Sequence, residues 1–260
     1  MNEKPANQQP ANPPTSNRQH LASLYPFLYA GKQDPQAMKR ALLESVLQKK
    51  AEHQRIIELF FSENDQAVVE TAQSLAKMYR RNGRLYTMGN GGSSSDASHI
   101  SVEFQHPVTA GRPALPAYDL SMDKTMLTAI ANDVGFAQVF SRQVIALMQP
   151  QDALIGISTS GNSGNLINAF VQAKKIGAVT IGLVGGTGGE MAKAGLDHCL
   201  IVPSDSIHRV QECHVAIYHI LWDLVHTLLA DERGNLDSGP LNSTTEKQPS
   251  ADVGHSQESL

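Results

Sequence analysis

Short apolar runs alternate along the chain with longer stretches in which apolar and charged residues recur at helical spacing. The apolar runs end in small polar residues and cover 85–88, 114–120, 153–158, 179–184 and 199–202. The helical stretches cover 94–105, 123–131, 136–148, 163–176, 189–194 and 206–230. Strand and helix in alternation are typical of a mainly parallel sheet with helices on both faces, so the pattern predicts an α/β fold.

The chain before the first strand predicts two helices, over 35–61 and over 65–81, the second ending near Asn82 and Gly83. Both ends of the chain are polar and contain no aromatic residue over 1–19 and 231–260. Such segments bury too little apolar surface to offset the entropy of ordering, so we predict disordered tails. The folded part is then a single domain over 20–230 with an N-terminal helical extension.

Composition narrows the function classes. The 260 residues are 41% hydrophobic and 18% charged. The net charge of −4 argues against direct binding of nucleic acid or an anionic membrane. Two cysteines do not form a disulfide framework, which fits a reducing cytoplasm. No secretory signal is expected, and the most apolar late segment, 216–230, is too short to span a bilayer.

Two loops of glycine and hydroxyl residues, 89–96 and 158–165, follow predicted strands and lead into helices. Backbone N–H groups, hydroxyls and a helix N-terminus together suit an anion, and the absence of lysine argues against a nucleotide P-loop. One such loop alone is better explained as a helix cap. Two at equivalent strand ends favour a phosphorylated small molecule, whereas the glycine-rich turn 185–189 is predicted to be an ordinary connection.

Candidate metal ligands lie on two helices. His99 and Glu103 are four residues apart on one helix face, which suits either a chelating pair or a plain surface pair. On the last helix, His208, His219 and His226 fall within about 20° of one another, flanked by Gln211, Val215 and Trp222. Two helices could thus close a His, Glu, Gln, His set around a first-row metal such as zinc, although any single histidine can equally be a buried residue bonded to a carbonyl.

The motifs in this chain resemble those of the sugar isomerase (SIS) family, and the similarity runs from about residue 40 to residue 230. The segments that carry it are 89–93, 112–117, 131–133, 157–163 and 209–212. The resemblance implies a flavodoxin-like three-layer sandwich with a five-stranded parallel sheet. It also implies a homotetramer packed through helices, with active sites between subunits and one zinc ion per subunit.

Within the family, the chain is most similar to the isomerases that convert sedoheptulose 7-phosphate to D-glycero-D-manno-heptose 7-phosphate in the biosynthesis of lipopolysaccharide heptose. The resemblance assigns sugar-phosphate binding to Asn90, Gly91, Gly92, Ser93, Glu103, Asn132, Asp133, Ser158, Thr159, Ser160, Ser163 and Gln211. It assigns the zinc ion to His99, Glu103, Gln211 and His219. Glu103 and His219 also become the acid/base pair of an enediol reaction.

Two other functions remain open at this point. One is a non-catalytic SIS scaffold similar to the replication initiator-associating protein, and the other is a sensor or an isomerase of another phosphosugar. Departures from the family pattern lie at Val102, at His208 and over 105–110. They flank the matched ligand positions rather than replace them, so they bear on the substrate more than on the reaction class.

Overall fold

The computed structural model describes residues 35–234; the predicted tails, 1–19 and all but the first residues of 231–260, lie outside the described part. The strands are β1 (Leu85–Gly89), β2 (Ala117–Asp119), β3 (Ala153–Ser158), β4 (Val179–Gly185) and β5 (His198–Val202). The helices are α1 (Pro35–Arg80), α2 (Gly92–Gln105), α3 (Lys124–Asp133), α4 (Ser141–Leu147), α5 (Gly164–Ile176), α6 (Gly189–Lys193) and α7 (Ile207–Gly234), with a 3₁₀ turn at Phe136–Gln138.

The five strands form one all-parallel sheet in the order β2-β1-β3-β4-β5, which confirms the predicted α/β fold. From β1 the chain moves outward to β2 and then returns to β3 on the other side of β1. The strand order therefore reverses between β1 and β3, and a crevice opens at the carboxyl ends of these two strands. Gly89 pairs with Ile157, so the loops that follow β1 and β3 leave the sheet side by side.

Two buried apolar clusters cover the two faces of the sheet. On one face, Leu75 of α1, Ile100 of α2 and Val225 of α7 pack over β1, β3 and β4. On the other face, the cluster comes from α3, α4 and α5, with Val144 and Phe170 fully buried. Burial on both faces explains why the strands read as continuous apolar runs rather than as alternating ones.

The predicted break between two N-terminal helices is wrong: α1 is continuous from Pro35 to Arg80. The polar residues at the expected break bond to carbonyls of the preceding turn, Ser62 Oγ to Leu59 O at 2.9 Å and Asn64 Nδ2 to Phe60 O at 2.9 Å. The side chains thus follow the helix instead of capping a new one. By internal packing, the chain divides within this helix, at Arg55 and Ile56, and all site residues belong to the unit that starts at Ile56.

Two other elements are shorter than predicted. The run 114–120 yields only the three residues of β2, because the prolines at 113 and 116 have no N–H for the ladder. The stretch 136–148 splits into the 3₁₀ turn and α4.

The helix α7 is long and apolar enough over Ile207–Ala230 to cross a membrane by length and composition, with a mean hydropathy of 1.3. The segment 216–230 alone therefore understated the length of this helix. Its inner side packs in the core described above, where Val210, Cys213 and Leu221 are buried. A helix that packs in a protein core can meet the same criterion of length and hydropathy as a membrane-spanning helix, so this finding is weak evidence for a membrane span.

Candidate active site

The two glycine-hydroxyl loops are joined by a pair of amides. Asn90, which follows β1, and Asn165, in the first turn of α5, exchange two hydrogen bonds of 2.9 Å, each Nδ2 donating to the other Oδ1. Asn165 is buried. The pair fixes the two loops relative to each other across the crevice between β1 and β3. Sequence reasoning placed Asn165 in the loop without a role, because its partner lies 75 residues away.

The second loop is organised by its own hydroxyls. Ser158 Oγ lies 3.0 Å from Ser163 Oγ and accepts a bond from the N–H of Gly161 at 3.1 Å. Thr159 and Ser160 follow at the rim, where Ser160 is exposed. The loop therefore presents hydroxyl groups and backbone N–H groups at the N-terminus of α5, as an anion site requires.

The turn 185–189, predicted to be an ordinary connection, supports this loop directly. The N–H of Met191 donates to Gly161 O at 2.9 Å, and the N–H of Glu190 donates to Asn162 Oδ1 at 3.0 Å. Gly161 has φ +66°, and a Cβ there would lie 2.0 Å from Gly188 O. The prediction is therefore incomplete, because this turn also holds the loop in place.

The chemistry outside the loops comes from α2 and α7, which run parallel. The residue pairs in contact advance together along both helices: Gly92 with Gln211, His99 with Tyr218 and His219, Glu103 with Trp222, and Phe104 with His226. Since the first glycine-hydroxyl loop opens α2, this register places the end of that loop and the histidines along a single line between two helices.

His99, Glu103 and His219 come together at the middle of this line. One possible ligand atom from each lies within 4.8 Å of the other two. His99 Nε2 is 3.0 Å from Glu103 Oε1, and the rings of His99 and His219 meet edge to face with centroids 5.1 Å apart. Partial burial lowers the pKa of His219, as does the nearby His99, whereas the Glu103 carboxylate opposes them. The unprotonated imidazole is thereby favoured at His219, as a base or a metal ligand requires.

Three groups behind the cluster hold it in position: the buried Trp222, the half-buried Arg112 and the exposed Asp223. Trp222 Nε1–H donates to Glu103 O at 2.8 Å, and the Arg112 guanidinium lies 4.4 Å from the Trp222 ring centroid and pairs with Asp223. Sequence reasoning did not assign these residues to the site. Trp222 was seen only as a member of an unusual helix stripe, which was the one signal available.

Two further side chains adjoin His99. Asp96, one turn before it on α2, has a buried Oδ2 without a hydrogen-bond partner among the described residues, and burial raises the pKa of this carboxyl. The Tyr218 hydroxyl lies 2.8 Å from His99 Nδ1. The pKa of Tyr218 is raised by burial and by the Asp96 and Glu103 carboxylates, so it stays a neutral hydroxyl.

The structure places the remaining predicted residues in three ways. Gln211 lies two turns before His219, and its Nε2 would be 2.4 Å from a Cβ at Gly92, so its amide lies over the first turn of α2, and its role as a metal ligand stays a prediction. Ser93 is buried in that turn. Asn132 and Asp133 are exposed at the end of α3, where Asn132 Nδ2 donates to Asp133 Oδ1 at 2.9 Å.

Two of the three histidines in the predicted stripe of the last helix do not join the cluster. His208 is exposed, and His226 is buried between the rings of Phe104 and Trp222. A cavity of about 160 Å³ lies beside the first loop and is lined by Gly89–Gly91 and Ser94 together with residues near α3 and α4. A larger cavity, of about 630 Å³, runs beside edge strand β2 and is lined by none of the predicted site residues.

The donor set at the cluster suits a divalent transition metal. Two imidazole nitrogens and one carboxylate oxygen are the ligand types of catalytic zinc sites, which take three protein ligands and keep a position open. The lowered pKa of His219 supports this fit, because a metal binds the neutral imidazole. The residues present therefore fit such an ion.

The fold and the site define a sugar isomerase domain. The profile of the SIS domain matches residues 50–185, just over half of the chain, and the chain therefore belongs to the SIS-domain family. Within this family it resembles the phosphoheptose isomerases, and it is an isomerase of that kind.

Relatives of this kind match over most of both chains. A phosphoheptose isomerase of Sulfurimonas denitrificans is 48% identical over 158 residues, which cover 61% of this chain and 80% of the relative. One of Maridesulfovibrio salexigens is 40% identical over 75% of this chain and 96% of the relative. The solved phosphoheptose isomerase of Neisseria gonorrhoeae is 36% identical, with a TM-score of 0.67 over 72% of this chain and 99% of that one.

Proposed function

We propose that this chain converts sedoheptulose 7-phosphate to D-glycero-D-manno-heptose 7-phosphate through an enediol, at a site that holds one zinc ion. The observation that carries the proposal is the arrangement along α2: the phosphate loop opens the helix, and the cluster of His99, Glu103 and His219 lies two to three turns further on. A helix rises 1.5 Å per residue, so the centre of reaction is about 10 Å or more from the loop. An extended sugar with its phosphate at the far end suits that separation.

The phosphate is bound by the paired loops in this proposal. The hydroxyls of Ser158, Thr159, Ser160 and Ser163 and the N–H groups at the starts of α2 and α5 donate to its oxygens. The Asn90–Asn165 pair keeps both loops in place without reorganisation. Gln211, whose amide lies over Gly92, is positioned to contact the sugar between the phosphate and the cluster, and a role as fourth zinc ligand stays a prediction. Roles for Asn132 and Asp133 likewise stay predictions.

Glu103 and His219 perform the proton transfers in this proposal. Isomerisation removes a proton from one carbon and delivers it to the adjacent carbon, while a second proton moves between the two oxygens. His219 is kept neutral by its lowered pKa, and the Glu103 carboxylate lies at hydrogen-bond distance from His99, so two groups that can take up a proton and return it face the same volume. Trp222 fixes the backbone of Glu103 from behind.

A zinc ion held by His99, Glu103 and His219 would supply Lewis acidity toward the carbonyl and the enediolate oxygens. The residues of this chain orient the substrate carbons toward it by anchoring the phosphate, so that most of the binding energy is gained away from the reacting bond.

The chain is also proposed to form a cytoplasmic homotetramer that packs through helices. Support comes from the first part of α1, taken by itself, where Leu42, Leu43, Val46 and Leu47 are each at least 57% exposed. Apolar side chains grouped in this way are typical of a protein–protein interface. The two cysteines are free, which fits a reducing compartment.

The test is turnover of sedoheptulose 7-phosphate by the zinc-loaded protein, by the same protein after chelation, and by Glu103→Gln. We expect chelation to abolish turnover and Glu103→Gln to lower kcat by roughly 10²- to 10⁴-fold, the usual contribution of one acid/base group. Glu70→Gln is the matched control, because Glu70 is exposed on α1, away from the cluster and the two loops, and accepts a hydrogen bond from Gln66 one turn away.

The outcomes separate the open functions. Full turnover by Glu103→Gln would refute the acid/base assignment. Bound zinc without turnover of this heptose would redirect the search to other phosphosugars. Absence of both zinc and turnover would favour the non-catalytic scaffold.

A further inference from the structure

The imidazole of His99 is held at both nitrogens. Nε2 lies 3.0 Å from Glu103 Oε1, and Nδ1 lies 2.8 Å from the Tyr218 hydroxyl. The two rings meet edge to face with centroids 5.4 Å apart, and Tyr218 is only 2% exposed. His99 itself is 44% exposed in its side chain, so the buried tyrosine, rather than dense packing, fixes this ring from behind.

The two partners differ in what they can do. An ionised carboxylate only accepts a hydrogen bond, so the proton between His99 and Glu103 belongs to Nε2. Nδ1 of the neutral ring then accepts from the Tyr218 hydroxyl. If a metal binds, Nε2 must give up its proton to offer a lone pair, and the neutral ring carries its proton on Nδ1 instead.

A hydroxyl can serve both of these tautomers, because it donates one hydrogen bond and accepts others after a rotation about its C–O bond. A carboxylate or a carbonyl behind Nδ1 would serve only the metal-bound tautomer. A phenyl ring would serve neither.

Resting on the metal site of the proposed function, we propose that Tyr218 is a positioning residue for His99 that keeps Nε2 directed at the metal site and accepts a hydrogen bond from Nδ1–H when the ion binds. A metal-bound imidazole is a stronger donor than the free ring, so the hydrogen bond to Tyr218 strengthens on binding and contributes to affinity. Among the described residues, the Tyr218 hydroxyl is hydrogen-bonded to His99. The Tyr218 ring also meets the His219 ring edge to face, with centroids 4.8 Å apart, and a phenylalanine would keep that contact. The effect of the hydroxyl therefore passes through His99.

The test uses Tyr218→Phe, which removes a single oxygen atom. We expect zinc affinity, measured by competition with a chromogenic chelator, to fall by roughly 10- to 100-fold, the usual loss for a partner behind a metal-binding histidine. The matched control is Tyr79→Phe. Tyr79 is also buried and packs against α2 through Phe104, with ring centroids 5.7 Å apart, but its hydroxyl has no hydrogen-bond partner within residues 35–234. This control should bind zinc as the wild type does.

A second readout follows the proton directly. Nitrogen-15 chemical shifts of the His99 ring should report Nε2–H in the metal-free wild type and Nδ1–H in the zinc form. A wild type whose His99 keeps the same tautomer in both forms would overturn the proposal without any variant, which covers the case in which Tyr218→Phe does not fold.

The remaining outcomes are distinct. Equal zinc affinity of Tyr218→Phe and Tyr79→Phe, with wild-type binding intact, would overturn the role of Tyr218 alone. Lack of zinc binding by the wild type would overturn the metal site of the proposed function, and the role of Tyr218 with it. Weaker binding in Tyr218→Phe, together with unchanged thermal unfolding of its metal-free form, supports the proposal over a general loss of structure.

Discussion

Gly161 is the position in the second loop where the structure most directly requires glycine. Its φ of +66° lies in the left-handed region, and a Cβ there would be 2.0 Å from Gly188 O, a backbone atom of the supporting turn. A methyl group therefore cannot be accommodated by a side-chain rotation. The substitution Gly161→Ala must push the loop and the turn apart.

The magnitude follows from two costs. Left-handed backbone costs an alanine about 1–2 kcal/mol. Forcing additional volume into a packed contact costs about 1–3 kcal/mol. Their sum is about 3.5 kcal/mol at mid-range, and in a domain of this size that corresponds to a fall in Tm of roughly 7–14 °C. Because the displaced atoms belong to the second glycine-hydroxyl loop, where the phosphate is proposed to bind, KM for the sugar phosphate should rise as well.

The assay is thermal unfolding together with steady-state kinetics, with Gly164→Ala as the matched control. Gly164 lies three residues further on, in the first turn of α5, and a Cβ there would meet no atom of the described part of the chain within 4 Å. That change should be neutral or slightly stabilising, since alanine reduces the entropy of the unfolded chain. A Gly161→Ala variant that unfolds within about 2 °C of Gly164→Ala would refute the reasoning.

Asn165→Ala should lower the free energy of unfolding by about 1–3 kcal/mol, because it leaves the Asn90 amide without its partner, and it should raise KM by a larger factor than it lowers kcat. The control Asn168→Ala, at a partly exposed side chain that donates to Ala137 O, should change neither KM nor kcat. Equal kinetic effects of the two variants would count against the role of the amide pair. Burial lowers the pKa of His214 to about 4. Between pH 6.5 and about 4 the unfolded chain takes up a proton that the folded chain does not, so stability should fall by about 3 kcal/mol as pH drops through this window. Urea unfolding of His214→Gln should show a flatter pH profile; an unchanged slope would contradict this.

The sheet and the two loops were predictable from the sequence because they depend on local pattern. Buried parallel strands are continuous apolar runs, and the glycine-hydroxyl loops come directly after two of them. The rule that ligands bind beyond the carboxyl ends of such strands then needs no further information. The same local logic failed at 62–65, where polar residues that often begin a helix instead bond backwards within α1.

The supports of the site were not predictable, because each depends on a distance between elements. Nothing near Asn165 in the sequence indicates Asn90 as its partner. In the sequence the turn 185–189 resembles any glycine-rich connection, and only the structure shows that it packs against Gly161. The choice between a chelating pair and a surface pair at His99 and Glu103 likewise depends on which residues of α7 lie opposite. Helical periodicity gives the face of α7 but not its position along α2.

That position determines more than the metal ligands. Tyr218 and Trp222 are four residues apart on α7, as are His99 and Glu103 on α2, and the two polar contacts between these pairs are one helical turn apart. Sliding α7 by one turn would bring Tyr218 opposite a different residue of α2 and would remove His219 from the cluster at the same time. Selection for a competent site therefore acts on the packing between two helices, and the Trp222 bond to a backbone carbonyl serves this purpose well, because it fixes the register whatever side chain position 103 carries.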